Sequence, residues 1–252
     1  MSNLEWCISY LKQYNHGVGF DLPLEDEFRA LMNITMPIDL SDEYYLRQDL
    51  ALKEIYQKRK IIDVNELKPI KDKIYLYKGD ITNLKVDAIT NACNEKLLGC
   101  FSPLHNCVDN AIHSFAGLEV RRDLLEVMTK QGHDERNGLA KITRGYNLPS
   151  SYIIHTVGPI VNGYVTRANR EDLMNCYLSS LRMADQYNLK SIAFCSISTG
   201  IYGYPIEKAV KVALNAVNYY LKEENKNLEK VVFCLFSKRD YDVYYRTIKE
   251  ED

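Results

Sequence analysis

From Ile74 onward the chain alternates short apolar, β-branched runs with amphipathic stretches long enough for helices. That alternation limits the possible folds more than any other feature. It predicts strands over Ile74–Lys78, 86–91, 140–145, Tyr152–Val157, 191–196 and 230–236. It predicts helices over Val108–Ala116, 118–130, 171–187, 206–222 and 240–249. Residues 86–91 are rich in small and β-branched types, as a strand covered on both faces requires. Gly117 suits the end of the first of these helices, and Gly158-Pro159 stops a strand. Strands and helices in this alternation build a mainly parallel or mixed central sheet with helices on both faces, a three-layer α/β/α fold.

Residues 1–70 have a different character, polar and helical throughout. Ser41 precedes Asp42 and Glu43, and Lys58-Arg59-Lys60 closes the same segment, so acids and bases complement the two ends of a helix dipole. Tyr45, Leu52, Ile55 and Tyr56 fall near one face of that helix. The reading is an N-terminal helical extension, residues 1–70, packed on a main domain of residues 71–252. Docking of a partner is the alternative use. Pro69 and Lys71-Asp72-Lys73 mark the boundary.

Composition narrows the class. With 252 residues, 46% hydrophobic and 26% charged, the chain is long enough to bury a substantial core. A net charge of −2 leaves no basic field for general nucleic-acid binding. No apolar run approaches the roughly 20 residues that cross a bilayer. The first residues lack the pattern of a signal peptide. Seven cysteines spread through strand-like and helix-like runs do not make a disulfide framework. A reducing, cytoplasmic compartment is expected, with thiols buried or available to metal.

In a sheet of this kind ligands sit outside the carboxyl ends of the strands, and the unusual motifs fall there. Asp80 follows the first strand, Asn91 and Asn94 close the second, and Ser198-Thr199-Gly200-Ile201-Tyr202-Gly203-Tyr204-Pro205 leads into the helix at Ile206. The glycines of that loop let backbone N–H groups face a ligand, and the helix start adds positive partial charge, so the loop suits a phosphate or diphosphate. It has neither the lysine of a P-loop nor the spacing of a dinucleotide fingerprint. Cys100, His105 and Cys107 place two thiols and an imidazole within eight residues, donors that Zn²⁺ prefers. Pro103 is expected to bend the loop so that His105 faces the same point as both sulfurs. Three ligands without an obvious fourth describe an open coordination position. C-x4-H-x-C is not a standard finger spacing, and small buried cysteines with a loop histidine would leave the same pattern.

Gly79-Asp80-Ile81-Thr82, Asn91-Ala92-Cys93-Asn94, Val108-Asp109-Asn110-Ala111-Ile112-His113, Val157-Gly158-Pro159 and Ser198-Thr199-Gly200-Ile201-Tyr202-Gly203 occur in the order found in macrodomains. The stretch 74–248 therefore resembles that family of ADP-ribose-binding modules. The resemblance implies that Asp80 accepts from the adenine amino group beside Ile81, that Phe236 touches adenine, and that Asn94 holds the distal ribose. It also implies that the backbone of Ser198, Thr199, Gly200, Ile201 and Tyr202 cradles the diphosphate. The Val-Asp-x-x-Ile-His segment is similar to the hydrolase branch, where the acid at Asp109 is linked to water activation. Upstream of it, residues 99–107 replace a poly-glycine run and look like the zinc-dependent macrodomains, which also carry a helical extension. That departure opens Asp109's role to a metal bound by Cys100, His105 and Cys107.

The expected activity is removal of mono-ADP-ribose from protein side chains, with carboxylate-linked adducts favoured because an ester is the better leaving group. Asp109 and Asn94 are the catalytic candidates and Zn²⁺ the cofactor. A reader that binds without cleaving, and a deacylase of O-acyl-ADP-ribose, remain alternatives. The family's association with sirtuin-type ADP-ribosyltransferases and lipoyl-carrier proteins names possible partners by resemblance only.

Other residues have plainer readings. Cys7, Cys93, Cys176, Cys195 and Cys234 suit the core. His155 lies inside a strand, and His113 is one turn beyond Asp109, where a structural hydrogen bond is the simpler role. Tyr202 is positioned to cover the distal ribose. Glu135 belongs to a solvated helix exit, with a place on the pocket rim as the alternative.

Overall fold

A computed structural model describes residues 1–250. Three helices come first, α1 (Asn3–Tyr14), α2 (Leu24–Ile34) and α3 (Asp42–Gln57). Ser41 caps α3, its hydroxyl accepting from Tyr44 N. The buried faces of these helices, including Cys7, Leu11, Phe28, Leu31, Tyr44 and Leu52, form a core of their own that extends to Leu118. Tyr44, not Tyr45, is the fully buried tyrosine of α3.

The helical expectation for 1–70 fails after α3. Residues Ile62–Asp63 form a two-residue strand, β1, followed by a 3₁₀ turn over Val64–Glu66 and by β2 (Pro69–Lys71). Ile61 and Ile62 favour extended backbone, and Pro69 has no N–H for a helix ladder but sits without cost at the start of an edge strand. Next come β3 (Ile74–Lys78), a 3₁₀ turn over Ile81–Asn83, β4 (Leu84–Lys85), β5 (Ala88–Cys93), α4 (Val108–Ala116) and α5 (Leu118–Gln131). The chain ends with β6 (Ala140–Arg144), β7 (Tyr152–Val157), α6 (Arg167–Gln186), β8 (Ser191–Phe194), α7 (Ile206–Glu223), β9 (Lys230–Leu235) and α8 (Lys238–Glu250).

Two boundaries moved for identifiable reasons. The strand expected at 86–91 begins at Ala88, because the Asp87 N–H donates to Ser191 Oγ at 3.0 Å rather than to a strand backbone, and the Asp87 carboxylate accepts from Lys190 N and Ser191 N at 2.8 and 2.9 Å. The helix expected from 171 begins at Arg167, where Thr166 and Asn169 cap each other reciprocally.

The main sheet has seven strands in the order β2-β3-β9-β8-β5-β7-β6. The two edge pairings, β2 with β3 and β6 with β7, are antiparallel and every interior pairing is parallel. Helices α6, α7 and α8 pack side by side, while α4 and α5 pack against β5 and β6. This is the three-layer α/β/α arrangement with a mixed sheet. Because β3, β5, β7, β8 and β9 run the same way, their carboxyl ends open on one edge. No helix among the described residues is long and apolar enough to cross a membrane.

Candidate active site

A cavity of about 570 Å³ opens at those carboxyl ends. It collects residues from seven separated stretches of chain. At one end are Asp80 and Ile81 after β3, with Phe236 and Asp240 after β9. Asp80 caps its own 3₁₀ turn, Oδ1 accepting from Thr82 N at 2.9 Å and Thr82 Oγ1 at 2.7 Å. Its Oδ2 accepts from Arg59 Nη2 at 2.7 Å. Phe236 and Ile201 are largely exposed at the mouth, 73% and 76%, and such apolar area is available to a flat aromatic ligand.

The wall between β8 and α7 is the 198–203 loop. Ser198 adopts φ +64°, and the loop closes through Gly203 N to Gly200 O and Tyr204 N to Ser198 O, at 3.0 and 2.9 Å. No backbone hydrogen bond within the described residues uses the N–H groups of Thr199, Gly200, Ile201 or Tyr202. A run of uncommitted amides before a helix start is an anion-binding arrangement. Gly158 approaches this loop so closely that a Cβ there would lie 2.1 Å from Ser198 Oγ. Tyr202 lines the same wall, its hydroxyl pushed up to about 12 by burial, with Glu95 adding to the shift.

Facing that loop, Cys100, His105 and Cys107 present ligand atoms that all lie within 4.8 Å of one another, and all three line the cavity. The turn that brings them together runs from Ser102 to His105, with His105 N donating to Ser102 O at 3.2 Å. Pro103 and Leu104 occupy its corners, Leu104 at φ +54°, the left-handed geometry of a type II turn. The strain of a leucine there is offset because Leu104 N donates to Asn33 Oδ1 of α2 at 3.0 Å. Cys107 caps α4, Sγ accepting from Asn110 N at 3.4 Å. Burial pushes its thiol up to about 12, against the Asn110 amide and with the neighbouring Cys100 sulfur adding to the rise. His105 Nδ1 is buried without a hydrogen-bond partner. Two sulfurs and an imidazole around one point fit a zinc ion in donor type and number.

Asp109 stands on the first turn of α4, 5% exposed and lining the cavity. Its Oδ1 accepts from Asn91 Nδ2 at 2.8 Å. Burial raises its carboxyl to about 6, with the Asn91 hydrogen bond and the Arg121 charge pulling the other way. Behind it the network continues from Asn91 Nδ2 to His155 Nδ1 at 3.2 Å and from His155 Nε2 to Thr143 Oγ1 at 2.9 Å. Burial lowers the His155 imidazole to about 3, so it serves as a neutral core residue. His113 Nε2 lies 3.5 Å from Asp109 Oδ1, yet neither ring nitrogen makes a hydrogen bond. The structural hydrogen bond expected of His113 is absent, and its ring instead packs under Gly99. That glycine holds φ +83°, and a Cβ there would come within 2.8 Å of the ring. Asn94 lines the cavity and orders the loop after β5, its Oδ1 accepting from Lys96 N at 3.0 Å.

Sequence reasoning missed several wall residues. Arg29 of α2 lines the cavity, with Nε and Nη2 donating to Asn110 Oδ1 at 3.1 and 2.7 Å. Phe115 of α4 lines it as well, and Arg59 reaches it through Asp80. Only the Val-Asp-x-x-Ile-His helix, by its 3–4 spacing, carried a signal for Phe115. Nothing local flagged the arginines, which lie 81 and 21 residues upstream of their partners. Glu135 does not reach the cavity. It is buried against Lys141, with Oε2 2.5 Å from Nζ. Cys7, Cys93, Cys176, Cys195 and Cys234 are free and buried.

An α/β/α layer fold with a nucleotide-sized crevice, an amide-lined loop and a cluster of metal donors defines a class of nucleotide-binding domain. Comparison with known proteins resolves the class further. The Macro domain family model matches residues 90–213. A protein-ADP-ribose hydrolase of Staphylococcus aureus (strain MSSA476) is 47% identical over 219 residues, covering 86% of this chain and 82% of that protein. One of the same description from Treponema medium is 41% identical over 249 residues, 95% of each. The crystal structure of the Trypanosoma brucei macrodomain in complex with ADP-ribose superposes with a TM-score of 0.68 at 29% identity, over 87% of this chain and 94% of that one. The chain belongs to the macrodomain family.

Proposed function

We propose that this chain is a hydrolase that removes mono-ADP-ribose from modified protein side chains, with a zinc ion beside the distal ribose. The activity follows the protein-ADP-ribose hydrolases that it resembles along most of its length. The single observation that carries the zinc reading is the convergence of Cys100, His105 and Cys107, with His105 Nδ1 buried and unpartnered, in the wall of the cavity that also holds Asp109.

Adenine lies between Asp80, Ile81 and Phe236, its amino group donating to the Asp80 carboxylate. The diphosphate takes the free N–H groups of Thr199, Gly200, Ile201 and Tyr202, and the half-buried Tyr202 closes over the distal ribose. Asn94 hydrogen-bonds that ribose from the opposite wall. Cys100, His105 and Cys107 would hold the zinc, which would supply Lewis acidity to the reaction. Asp109, its Oδ1 held by Asn91, orients the attacking water and takes its proton. The bond to an Asp or Glu carboxylate breaks more readily than an amide link, so acidic side chains are the proposed acceptors. Within this scheme residues 1–70 serve as the extension of a 71–252 macrodomain and brace its cavity.

The test is metal analysis of the purified chain, paired with release of ADP-ribose from a glutamate-modified protein before and after chelation. Stoichiometric zinc and lost turnover are expected. Undiminished turnover after zinc removal would overturn the metal's part, and binding of ADP-ribose without any release would make the chain a reader.

A further inference from the structure

Arg59, the second residue beyond α3, sends its guanidinium into the main domain and meets two walls of the nucleotide cavity at once. Nη2 donates to Asp80 Oδ2 at 2.7 Å and to Thr82 Oγ1 at 2.9 Å. Thr82 Oγ1 in turn donates to Asp80 Oδ1 at 2.7 Å, closing a triangle around the carboxylate. The guanidinium carbon stands 3.7 Å from the centroid of Phe115, a stacking distance, and Phe115 also lines the cavity. Tyr56 completes the clamp, edge-on to Phe115 at 5.9 Å, with its hydroxyl donating to Thr82 O at 3.1 Å. The Arg59 side chain is only 16% exposed, and its Nη1 is buried with no hydrogen-bond partner. A guanidinium held this far from water without satisfying every donor forgoes hydration. Its compensation is the fixed geometry of the two groups it grips.

We propose that Arg59 is a positioning residue for base recognition: it sets the plane of the Asp80 carboxylate and the tilt of Phe115, so that purine selectivity depends on the N-terminal helices. The inference rests on the reading of Asp80 as the adenine acceptor. With Oδ1 occupied by Thr82, Oδ2 is the oxygen left for an incoming amino group, and Arg59 takes one of its lone pairs and orients the other. Lysine carries the charge but not the planar fork that bonds Asp80 and Thr82 while stacking on a ring.

The experiment compares calorimetric affinities for ADP-ribose and its hypoxanthine counterpart, inosine diphosphate ribose, in which a carbonyl replaces the amino group. A charge-assisted hydrogen bond to Asp80 predicts a preference for adenine of about tenfold or more in the parent chain. Arg59→Ala is expected to cut that preference about 3- to 10-fold, the scale of freeing one preorganised side chain, chiefly by weakening the adenine ligand. Arg59→Lys should fall between, and it carries the test if circular dichroism shows the alanine variant unfolded. A simple loss of stability lowers both affinities together and leaves the preference intact, which would overturn the proposal. Asp80→Ala separates the two levels. If it keeps the preference, the adenine reading fails and the inference with it. If it abolishes the preference while the Arg59 variants retain it, the inference alone fails.

Discussion

The amide of Leu104, one residue before His105, donates to the Asn33 side chain on α2 at 3.0 Å. Asn33 is 1% exposed, and its Nδ2 donates to Ser114 Oγ at 2.9 Å, so one side chain ties the donor loop to α4. Partners outside the coordination sphere that orient ligands typically account for about 10- to 100-fold in metal affinity. Asn33→Ala is therefore expected to weaken zinc binding by about that factor, measured by competition with a chromophoric chelator. An unchanged affinity would show that the turn holds its shape without Asn33.

The triad itself gives a sharper outcome. His105→Ala and Cys107→Ala are each expected to lose stoichiometric zinc and most turnover, while binding of free ADP-ribose persists through Asp80 and the 198–203 loop. Metal analysis and calorimetry on the same samples check both halves. Loss of nucleotide binding equal to the loss of zinc would mean that the donors shape the cavity rather than serve a metal.

Arg121 is almost fully buried on α5. Its Nη1 donates to Met32 O and Asn33 O at 2.8 and 3.1 Å, at the carbonyl end of α2, and its Nε to Leu98 O at 2.7 Å. The guanidinium caps one helix and pins the start of the donor loop, and burial lowers it to about 10. Arg121→Met fills the space but takes this donor from Asn33 O and Leu98 O, while Met32 O keeps only the Thr35 N–H at 3.3 Å, at about 1–3 kcal/mol for each buried group orphaned. Urea unfolding should show a loss of about 3 kcal/mol or more, and a loss below about 1 kcal/mol would contradict this account.

Glu119 gives the protein a pH dependence of predictable sign. Burial raises its carboxyl to about 7, opposed by the hydrogen bond from Gln48 Nε2 at 2.7 Å. Between the unfolded value of 4.5 and about 7, the folded chain holds a proton that the unfolded chain has released, so stability falls as pH rises through that window. Glu119→Gln keeps an acceptor for Gln48 and removes the titration. Its melting temperature is expected to drop less than the parent's between about pH 4 and about pH 7.5, which lie on either side of that window. Parallel profiles would remove Glu119 as the source.

Much of the fold was written locally. Strands such as Tyr152–Val157 and helices such as Val108–Ala116 lie where periodicity and glycine stops place them, because these signals concern residues a few positions apart. Several wall residues were legible for the same reason: parallel strands deliver their carboxyl ends to one edge, so Asp80, Asn94 and Ser198 meet once the alternation is recognised, while Phe236 was reached only through the family resemblance. What failed lay where local signals compete, as at residues 58–70, whose polar composition suits a helix and whose isoleucines and proline do not.

The sequence alone determined the layer architecture, the edge of the sheet on which a ligand sits, and the short Cys100–Cys107 donor loop. Only the tertiary structure decided that Arg29, Asn33 and Arg59 reach this edge, and that His113 packs under Gly99 instead of bonding Asp109. The reason is separation along the chain. A contact between Asn33 and Leu104 spans 71 residues and depends on how three helices dock, which side-chain packing sets and no local pattern encodes.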